Sequence, residues 1–399
     1  MSEHGSRGAR AHDTSAATRL PVAHLPTPMV PSQSTVLTVI ADLVGTARAL
    51  GVDDSVIIDP VRAVARLDPP AVIAASPFRF AYGRRRDLEL AVDHVAGATV
   101  RRRPFTERLW RSAVAEIELP PIEGLVIHDA SFGHAADRVA RRLSSSPCWL
   151  YSHTPVSRSV GTRELRGLVD RLTGVICVSE AMRSQLMKRL GRSSDKVHVV
   201  HNGVDSRLFH PGESPPSERP PVVLAAGLQT PQKGIDCLLR STSLLRTGGW
   251  RLDLAGGDWY TAGRAIVADS DDQIVRHGFL PREEMPDFLR SGRVFVFPSA
   301  WDEPFGLGLL EAMASGLACV TTKRGGLPEV GGDAVVYVEP NDPTALARAI
   351  DELLADDQLA DELGTRARAR ALLFSTQQQF ERFDQLVSRL RAPPGARSA

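Results

Sequence analysis

Two glutamates eight positions apart, Glu303 and Glu311, are the side chains of this sequence best suited to hold a polar ligand. Glu311 stands in a run of Leu, Ala, Met and Gly residues that predicts a buried helix from Phe305 to Ala314. A carboxylate in such surroundings is costly unless it has a partner. An Arg or Lys in a structural ion pair would serve, and so would the hydroxyl groups of a ligand.

The segment between the two glutamates adds a site for an anion. Pro304 fits the beginning of the helix and Gly316 fits its end. The backbone N–H groups of Gly306, Leu307 and Gly308 would then lie at the positive end of the helix dipole. Because glycine lets a ligand approach the backbone closely, the arrangement suits a compound with both hydroxyl and phosphate groups, such as a sugar phosphate.

Lys233 is a second candidate for binding phosphate. It lies in the loop GLQTPQKG, residues 227–234, which connects the predicted strand Val222–Ala226 to a predicted helix. A lone lysine is most often a solvated surface residue. A cation near the end of a strand-to-helix loop is also suited to phosphate, and its place in the loop favours that interpretation.

Polar side chains follow several other apolar runs that predict strands of a parallel sheet. His128, His153 and Asn202 each stand just beyond such a run. In open sheets of this kind, ligands bind beyond the carboxyl ends of the strands. A histidine at a strand end is also compatible with an ordinary hydrogen-bonded loop residue, and Asn202-Gly203 is first of all a turn signal.

The glutamate pair, inside SAWDEPFGLGLLEAMASG and followed by GGLPE, resembles the signature of the retaining glycosyltransferases of family 4. The resemblance is good over about residues 125–375 and poor over the first hundred. It implies an α/β protein with the GT-B fold, in which two Rossmann-like domains with parallel sheets face a central cleft. It also implies that GGLPE, residues 325–329, forms a turn near the site.

The predicted elements and the resemblance together divide the chain into six parts. The Pro-rich stretch HPGESPPSERPP, residues 210–221, marks the domain boundary, because such segments are stiff and lack donors. The parts are a disordered N-terminus (1–20), an N-terminal Rossmann-like acceptor domain (21–205), a linker (206–221), a C-terminal nucleotide-sugar donor domain (222–375), a C-terminal helix crossing back to the first domain (376–391) and a disordered tail (392–399).

The resemblance implies a retaining transferase that moves a hexose or N-acetylhexosamine from a nucleotide-sugar donor to a hydroxyl acceptor in a glycan, lipid or small metabolite. It implies no cofactor and no metal, and the sequence has no His/Cys cluster with ligand spacing. The implied catalytic residues are His153, Glu303 and Lys233. The implied donor-binding residues are Lys233, Gly306, Leu307, Gly308, Glu311 and Glu329. Ser32, His128 and Asn202 are expected to line the acceptor side of the cleft.

Two departures from the family pattern support an alternative. Leu228 stands where the family usually has an Arg that holds the diphosphate, and Ser32-Gln33 stands near the place of a Gly-Gly pair. A chain with these losses would fit a non-catalytic GT-B partner or regulatory subunit of another glycosyltransferase. Lys233, Glu303, Glu311 and His153 are intact and favour the enzyme. The sequence does not contain the motifs of three other classes of protein: sugar-nucleotide epimerases, dehydrogenases and pyridoxal-dependent phosphorylases.

Composition bears on partners and location. The 399 residues carry a net charge of +1, which gives no global attraction to nucleic acid. Four widely spaced cysteines fit a reducing compartment, and no N-terminal apolar segment predicts secretion, so a cytoplasmic enzyme is expected. Arg residues concentrate in the first half, including residues 84–86 and 101–103; solvated faces, an anionic acceptor, or peripheral contact with the inner face of the membrane would each account for them. The Ala- and Arg-rich composition suggests a bacterial source.

Overall fold

The computed structural model describes residues 22–26, 35–50, 55–59, 72–74, 124–128, 147–155, 160–257 and 273–391, and every structural statement below concerns these residues. Ser32 and the two Arg-rich runs lie outside them. So do the two predicted disordered ends, residues 1–20 and 392–399.

The first sheet is parallel throughout and has seven strands. Its order is β3-β2-β1-β4-β5-β6-β7. Strands β4, β5 and β6 are buried along their whole length, which explains why they are continuous apolar runs in the sequence. The strands are β1 (Val22–Pro26), β2 (Ser55–Asp59), β3 (Val72–Ala74), β4 (Gly124–His128), β5 (Cys148–Ser152), β6 (Gly174–Cys177) and β7 (Val197–Val199).

Three described helices belong to this first lobe: α1 (Thr35–Ala49), α2 (Thr162–Arg171) and α3 (Glu180–Leu190). Helix α3 has defined ends. The Ser179 hydroxyl accepts from the Met182 N–H at 3.1 Å, and Gly191 closes the helix with a φ of 64°. A serine just before the first helical residue and a left-handed glycine just after the last are the residue types that satisfy unpaired helix ends.

The second sheet has six parallel strands in the order β10-β9-β8-β11-β12-β13. They are β8 (Val222–Ala226), β9 (Arg251–Ala255), β10 (Ile274–Gly278), β11 (Val294–Phe297), β12 (Ala318–Thr322) and β13 (Val336–Val338). The helices of this second lobe are α4 (Ile235–Thr242), α5 (Met285–Arg290), α6 (Leu307–Ala314), α7 (Leu327–Gly331), α8 (Pro343–Ala355) and α9 (Asp357–Ala371). Short 3₁₀ turns occupy Pro216–Glu218, Pro231–Lys233 and Leu372–Phe374.

The last helix, α10 (Thr376–Arg391), follows the second lobe in sequence but packs on the first. Its Gln379 accepts from the Gly203 N–H at 2.8 Å and donates to the Tyr151 hydroxyl at 3.3 Å. The Phe383 ring stacks on Tyr151 with centroids 6.1 Å apart. Helix α10 therefore ties the end of β5 to the segment that leaves the first sheet.

The expected parallel sheets are confirmed, and several local predictions need correction. Strands β1 and β3 and helix α2 have no counterpart among the predicted elements. The helix expected from Phe305 begins at Leu307. In the segment expected as a turn, GGLPE, helix α7 begins at Leu327, and Pro328 takes one of the first two helical positions, where its missing N–H costs no bond.

Candidate active site

Lys233 and Glu303 form a partly buried ion pair at the carboxyl edge of the second sheet. The Lys233 Nζ lies 2.7 and 2.8 Å from the two carboxylate oxygens, and the Ser299 hydroxyl donates to Glu303 Oε1 at 2.6 Å. Glu303 is 4% exposed, whereas 27% of the Lys233 side chain is exposed to solvent. The sequence placed these two residues in one site but did not predict that they pair.

The position after Lys233 has room for no residue other than glycine. Gly234 has a φ of 76°, and a Cβ there would lie 2.0 Å from the Pro298 carbonyl oxygen. The backbone N–H groups of Ala300 and Trp301 donate to the Gln232 carbonyl at 2.9 and 3.1 Å. These contacts fix the Lys233 loop against the loop after β11, which carries Glu303.

The N-terminus of α6 follows Glu303 directly and is not capped by a side chain. Gly306 has a φ of 108°, and a Cβ there would lie 2.6 Å from Leu327 Cδ2. A Cβ at Gly308 would lie 3.3 Å from the Phe297 ring. A helix start without a side-chain cap leaves its backbone N–H groups suited to an anion. The donor-binding role of Gly306, Leu307 and Gly308 stays a prediction.

Glu311 lies in the second turn of α6 and has a partner that the sequence did not reveal. The Nη1 atom of Arg282 lies 3.8 Å from Glu311 Oε1, and its Nη2 atom donates at 2.8 Å to the Asp42 carboxylate of α1. Burial raises the pKa of Glu311 to about 7, Arg282 opposes that shift, and Asp42 adds to it. At 3.8 Å the ion pair is not a hydrogen bond, so it leaves the acceptor capacity of the Glu311 carboxylate for other donors.

His128 and His153, at the ends of neighbouring strands β4 and β5, form a stacked pair. His128 Nδ1 and His153 Nε2 lie 2.8 Å apart, and both rings stack with Tyr151. Burial lowers the pKa of His153 to about 3, so its imidazole is neutral near pH 7. Its Nδ1 is buried and has no hydrogen-bond partner among the described residues.

The carboxyl edges of the two sheets meet beside these groups. The Ser179 hydroxyl, after β6, donates to the Pro304 carbonyl at 2.5 Å. The Glu329 carboxylate accepts from the Glu180 and Ala181 N–H groups at 2.8 and 2.7 Å and lies 3.0 Å from His201 Nε2. Burial alone would raise the pKa of Glu329, but these hydrogen bonds hold it below its usual range.

Glu329 therefore caps a helix of the first lobe, whereas the sequence predicted a role in donor binding. That role stays a prediction. Asn202 is buried beside the same junction, and its Oδ1 has no hydrogen-bond partner among the described residues. Ser32 cannot be placed, because it lies outside the described residues.

Leu228 is half-buried in the loop after β8, where the family pattern has an Arg. A different cation lies close to this loop. Arg276 donates to the Gln229 side chain at 3.0 Å, and Gln229 donates to the Gly256 carbonyl at 2.9 Å. Neither Arg276 nor Arg282 carried a sequence signal, because a single Arg outside a motif looks like a surface residue.

Comparison with known proteins decides the family. The model of the family "Glycosyltransferase Family 4" matches residues 38–208, and that of "Glycosyl transferases group 1" matches residues 206–370. The chain belongs to glycosyltransferase family 4. The motif-based assignment is therefore confirmed, and the two facing parallel sheets form the GT-B fold.

Curated relatives of this glycosyltransferase match over only part of their length. The α-maltose-1-phosphate synthase of Mycolicibacterium smegmatis is 29% identical over 62% of this chain and 72% of its own. The D-inositol 3-phosphate glycosyltransferase of Streptomyces bingchenggensis is 30% identical over 55% of this chain and 53% of its own. Their substrates are therefore a guide to proposals and not an assignment.

Solved structures with the same fold cover nearly the whole chain. The Anabaena HepE protein, in complex with UDP and glucose, aligns with a TM-score of 0.68 at 17% identity over 93% of this chain and 100% of its own. Sucrose-phosphate synthase of Thermosynechococcus elongatus aligns with a TM-score of 0.70 at 18% identity, over 93% and 99%. At this identity the likeness shows the fold alone.

Among the described helices of the chain, none is both long enough and apolar enough to cross a membrane. Peripheral membrane contact has no support within the described ranges, because the Arg runs that suggested it lie outside them.

Proposed function

We propose that this glycosyltransferase moves a hexose or N-acetylhexosamine from a nucleotide-sugar to a hydroxyl acceptor with retention of configuration, in the bacterial cytoplasm and without a metal. The observation that carries the proposal is the Lys233–Glu303 ion pair at the uncapped start of α6. It brings a cation, a carboxylate and free backbone N–H groups to one sheet edge. The HepE complex with UDP and glucose supports a nucleotide-sugar donor.

The proposed role of Lys233 and the α6 N-terminus is to neutralise the leaving diphosphate. Positive groups fixed in place before the reaction stabilise developing charge without reorganising, and this stabilisation often contributes more to catalysis than any other effect. Lys233 is suited to this task, because Glu303 already fixes the position of its ammonium group. The N–H donor that Glu303 does not use can bind a phosphate oxygen. The same charge would replace a divalent metal.

The proposed role of Glu303 and His153 is to hold the transferred sugar. The Glu303 carboxylate lies against the Lys233 ammonium and can accept from sugar hydroxyls. His153 acts as a neutral hydrogen-bonding group, since its low pKa excludes an imidazolium near pH 7. The buried Nδ1 of His153 has no hydrogen-bond partner among the described residues, and buried polar atoms usually have one. A hydroxyl group of the bound sugar could form that hydrogen bond.

The reaction needs no protein nucleophile in this proposal. The bond between the anomeric carbon and the diphosphate oxygen breaks while the acceptor oxygen forms a new bond on the same face. The acceptor proton passes to the leaving phosphate oxygen. Glu311, in the second turn of α6, would accept hydrogen bonds from the ribose hydroxyls of the donor.

The acceptor is proposed to be an anionic small molecule. The relatives named above act, by their names, in the formation of maltose 1-phosphate and on D-inositol 3-phosphate. The Arg excess of the first half of the chain agrees with such an acceptor. The comparisons do not favour the non-catalytic alternative to which Leu228 and Ser32-Gln33 pointed, and Lys233, Glu303, Glu311 and His153 are all present.

Calorimetric titration of the whole chain with UDP, GDP, ADP and TDP, followed by their sugar conjugates, tests the proposal. Saturable binding of one nucleotide is expected, and binding of none would contradict it. NMR of the product then reports the anomeric configuration, and inversion would overturn the retaining mechanism. Turnover is expected to survive EDTA; a loss reversed by Mg²⁺ or Mn²⁺ would overturn metal independence.

A further inference from the structure

Arg282 joins three parts of the molecule at one point. It belongs to the second lobe, between β10 and α5, but donates at 2.8 Å to Asp42 of α1 in the first lobe. It also lies 3.8 Å from Glu311 Oε1 of α6. Its guanidinium sits 5.6 Å from the ring centroid of Phe209, a buried residue of the segment that connects the lobes.

The charges at this point do not balance. Two carboxylates share one guanidinium, and Asp205 adds a further negative field to Asp42. All three side chains of the cluster are mostly buried, with 28%, 20% and 19% of Arg282, Asp42 and Glu311 exposed. Asp42 holds the close hydrogen bond, so Glu311 keeps a cation nearby while its oxygens stay open to other donors.

This geometry is unlike that of a purely structural pair. A guanidinium released by Asp42 would be free to close on Glu311 and take both of its oxygens in a bidentate contact. A missing guanidinium would leave the mostly buried Glu311 with no described cation near it, which favours the protonated form. Either change would remove acceptors that ribose hydroxyls need.

We propose that Arg282 is a positioning residue for the ribose of the donor, held by Asp42 at a place where it favours the charged form of Glu311 without occupying its oxygens. The inference rests on the proposed function, in which Glu311 binds the ribose. It adds a condition that lies in the other lobe. The ribose site is complete only when α1 is close enough for Asp42 to hold Arg282.

The test compares two nucleotides that differ only at the ribose. UDP and 2′,3′-dideoxy-UDP are titrated into the wild type, or the matching pair of whichever nucleotide the screen selects. The wild type is expected to prefer the ribose form. In Arg282→Gln that preference should fall about tenfold, the scale of a hydrogen bond to a charged group, while the dideoxy affinity stays unchanged. Arg282→Lys should recover part of it, because lysine keeps the charge without the planar fork.

Asp42 supplies the second half of the test. Asp42→Asn should also reduce the ribose preference, because the released guanidinium closes on Glu311. In the double variant Asp42→Asn/Arg282→Gln the loss should equal that of Arg282→Gln alone, since there is no guanidinium left to release. Arg348→Gln, at an exposed position of α8, is the matched control and should behave as the wild type.

The possible failures separate the inference from the function beneath it. No nucleotide binding by the wild type would overturn both. An unchanged ribose preference in Glu311→Gln would overturn the assignment of Glu311. If Glu311→Gln loses the preference while Arg282→Gln keeps it, or weakens both nucleotides equally, the inference alone is overturned.

Discussion

The ammonium group of Lys233 is held by both carboxylate oxygens of Glu303, at 2.7 and 2.8 Å. The two residues are 70 positions apart and come from loops after different strands, β8 and β11, which pair with each other in the sheet. Each was expected to contact a different part of the donor. Their contact makes them one unit, in which the carboxylate fixes the cation before the donor arrives.

Replacing one member of this pair should affect stability and turnover differently. Lys233→Met leaves the buried Glu303 carboxylate without its cation, which should cost about 2 kcal/mol, less than for a fully buried pair because Lys233 keeps contact with water. Turnover should fall about 10²- to 10³-fold, as when one donor to developing charge is removed. Thermal unfolding and steady-state kinetics measure the two effects.

The double variant Lys233→Met/Glu303→Gln is the control for that experiment. It removes both charges, so it should regain most of the lost stability while turnover stays low. Recovery of turnover along with stability would mean that Lys233 has only a structural role.

Donor binding should depend on pH through Glu311. Its pKa is raised to about 7, first by burial and then by Asp42, against the pull of Arg282. Only the ionised carboxylate accepts from two hydroxyls, so affinity should rise as pH increases through about 7 and fall below it. A nucleotide-sugar is the probe of choice, because its diphosphate does not titrate in this range.

Two variants test in which direction each neighbouring charge shifts the midpoint of that pH profile. Asp42→Asn removes a negative charge and should move the midpoint to lower pH, whereas Arg282→Gln removes a positive charge and should move it higher. Glu311→Gln should abolish the pH dependence. A profile that is unchanged in Glu311→Gln would assign the titration to another group.

Elements with a strong local signal were predictable from the sequence. Strands β4, β5 and β11 are short apolar runs buried on both faces, and their alternation with helices indicated parallel sheets. Strand β1 was missed although it pairs with both β2 and β4. Its sequence VAHLP contains a His and ends in Pro, so its strand character comes from its two neighbours and not from local propensity.

The candidate site shows the same division. Lys233, Glu303 and Glu311 stand in motifs whose order along the chain is informative. Arg282 and Asp42 are 240 positions apart, and they come into contact only because the two lobes pack together. No periodicity or spacing in the sequence reports such a pair.

Restoring the cation at position 228 should tighten donor binding. Leu228 is only half-buried, so an Arg side chain can reach solvent and turn toward a diphosphate. A bidentate contact of this kind should improve the nucleoside diphosphate affinity about tenfold. Leu228→Met is the matched control, because it keeps size and apolar character. Equal affinities for Leu228→Arg and wild type would indicate that another cation already serves, and Arg276, which contacts Gln229, is a candidate.

Glu329 should control how firmly the two lobes hold together. Its carboxylate caps the start of α3 through the Glu180 and Ala181 N–H groups and also contacts His201, so one side chain of the second lobe satisfies three groups of the first. Glu329→Ala should cost about 1 kcal/mol as a lost helix cap. Because the contact crosses the cleft, the loss should also favour more open arrangements, seen as a larger radius of gyration in small-angle scattering and a raised donor KM. Glu352→Ala, which removes an exposed carboxylate of α8, is the control. A variant that is destabilised but keeps its radius of gyration and KM would show that Glu329 caps α3 without holding the lobes together.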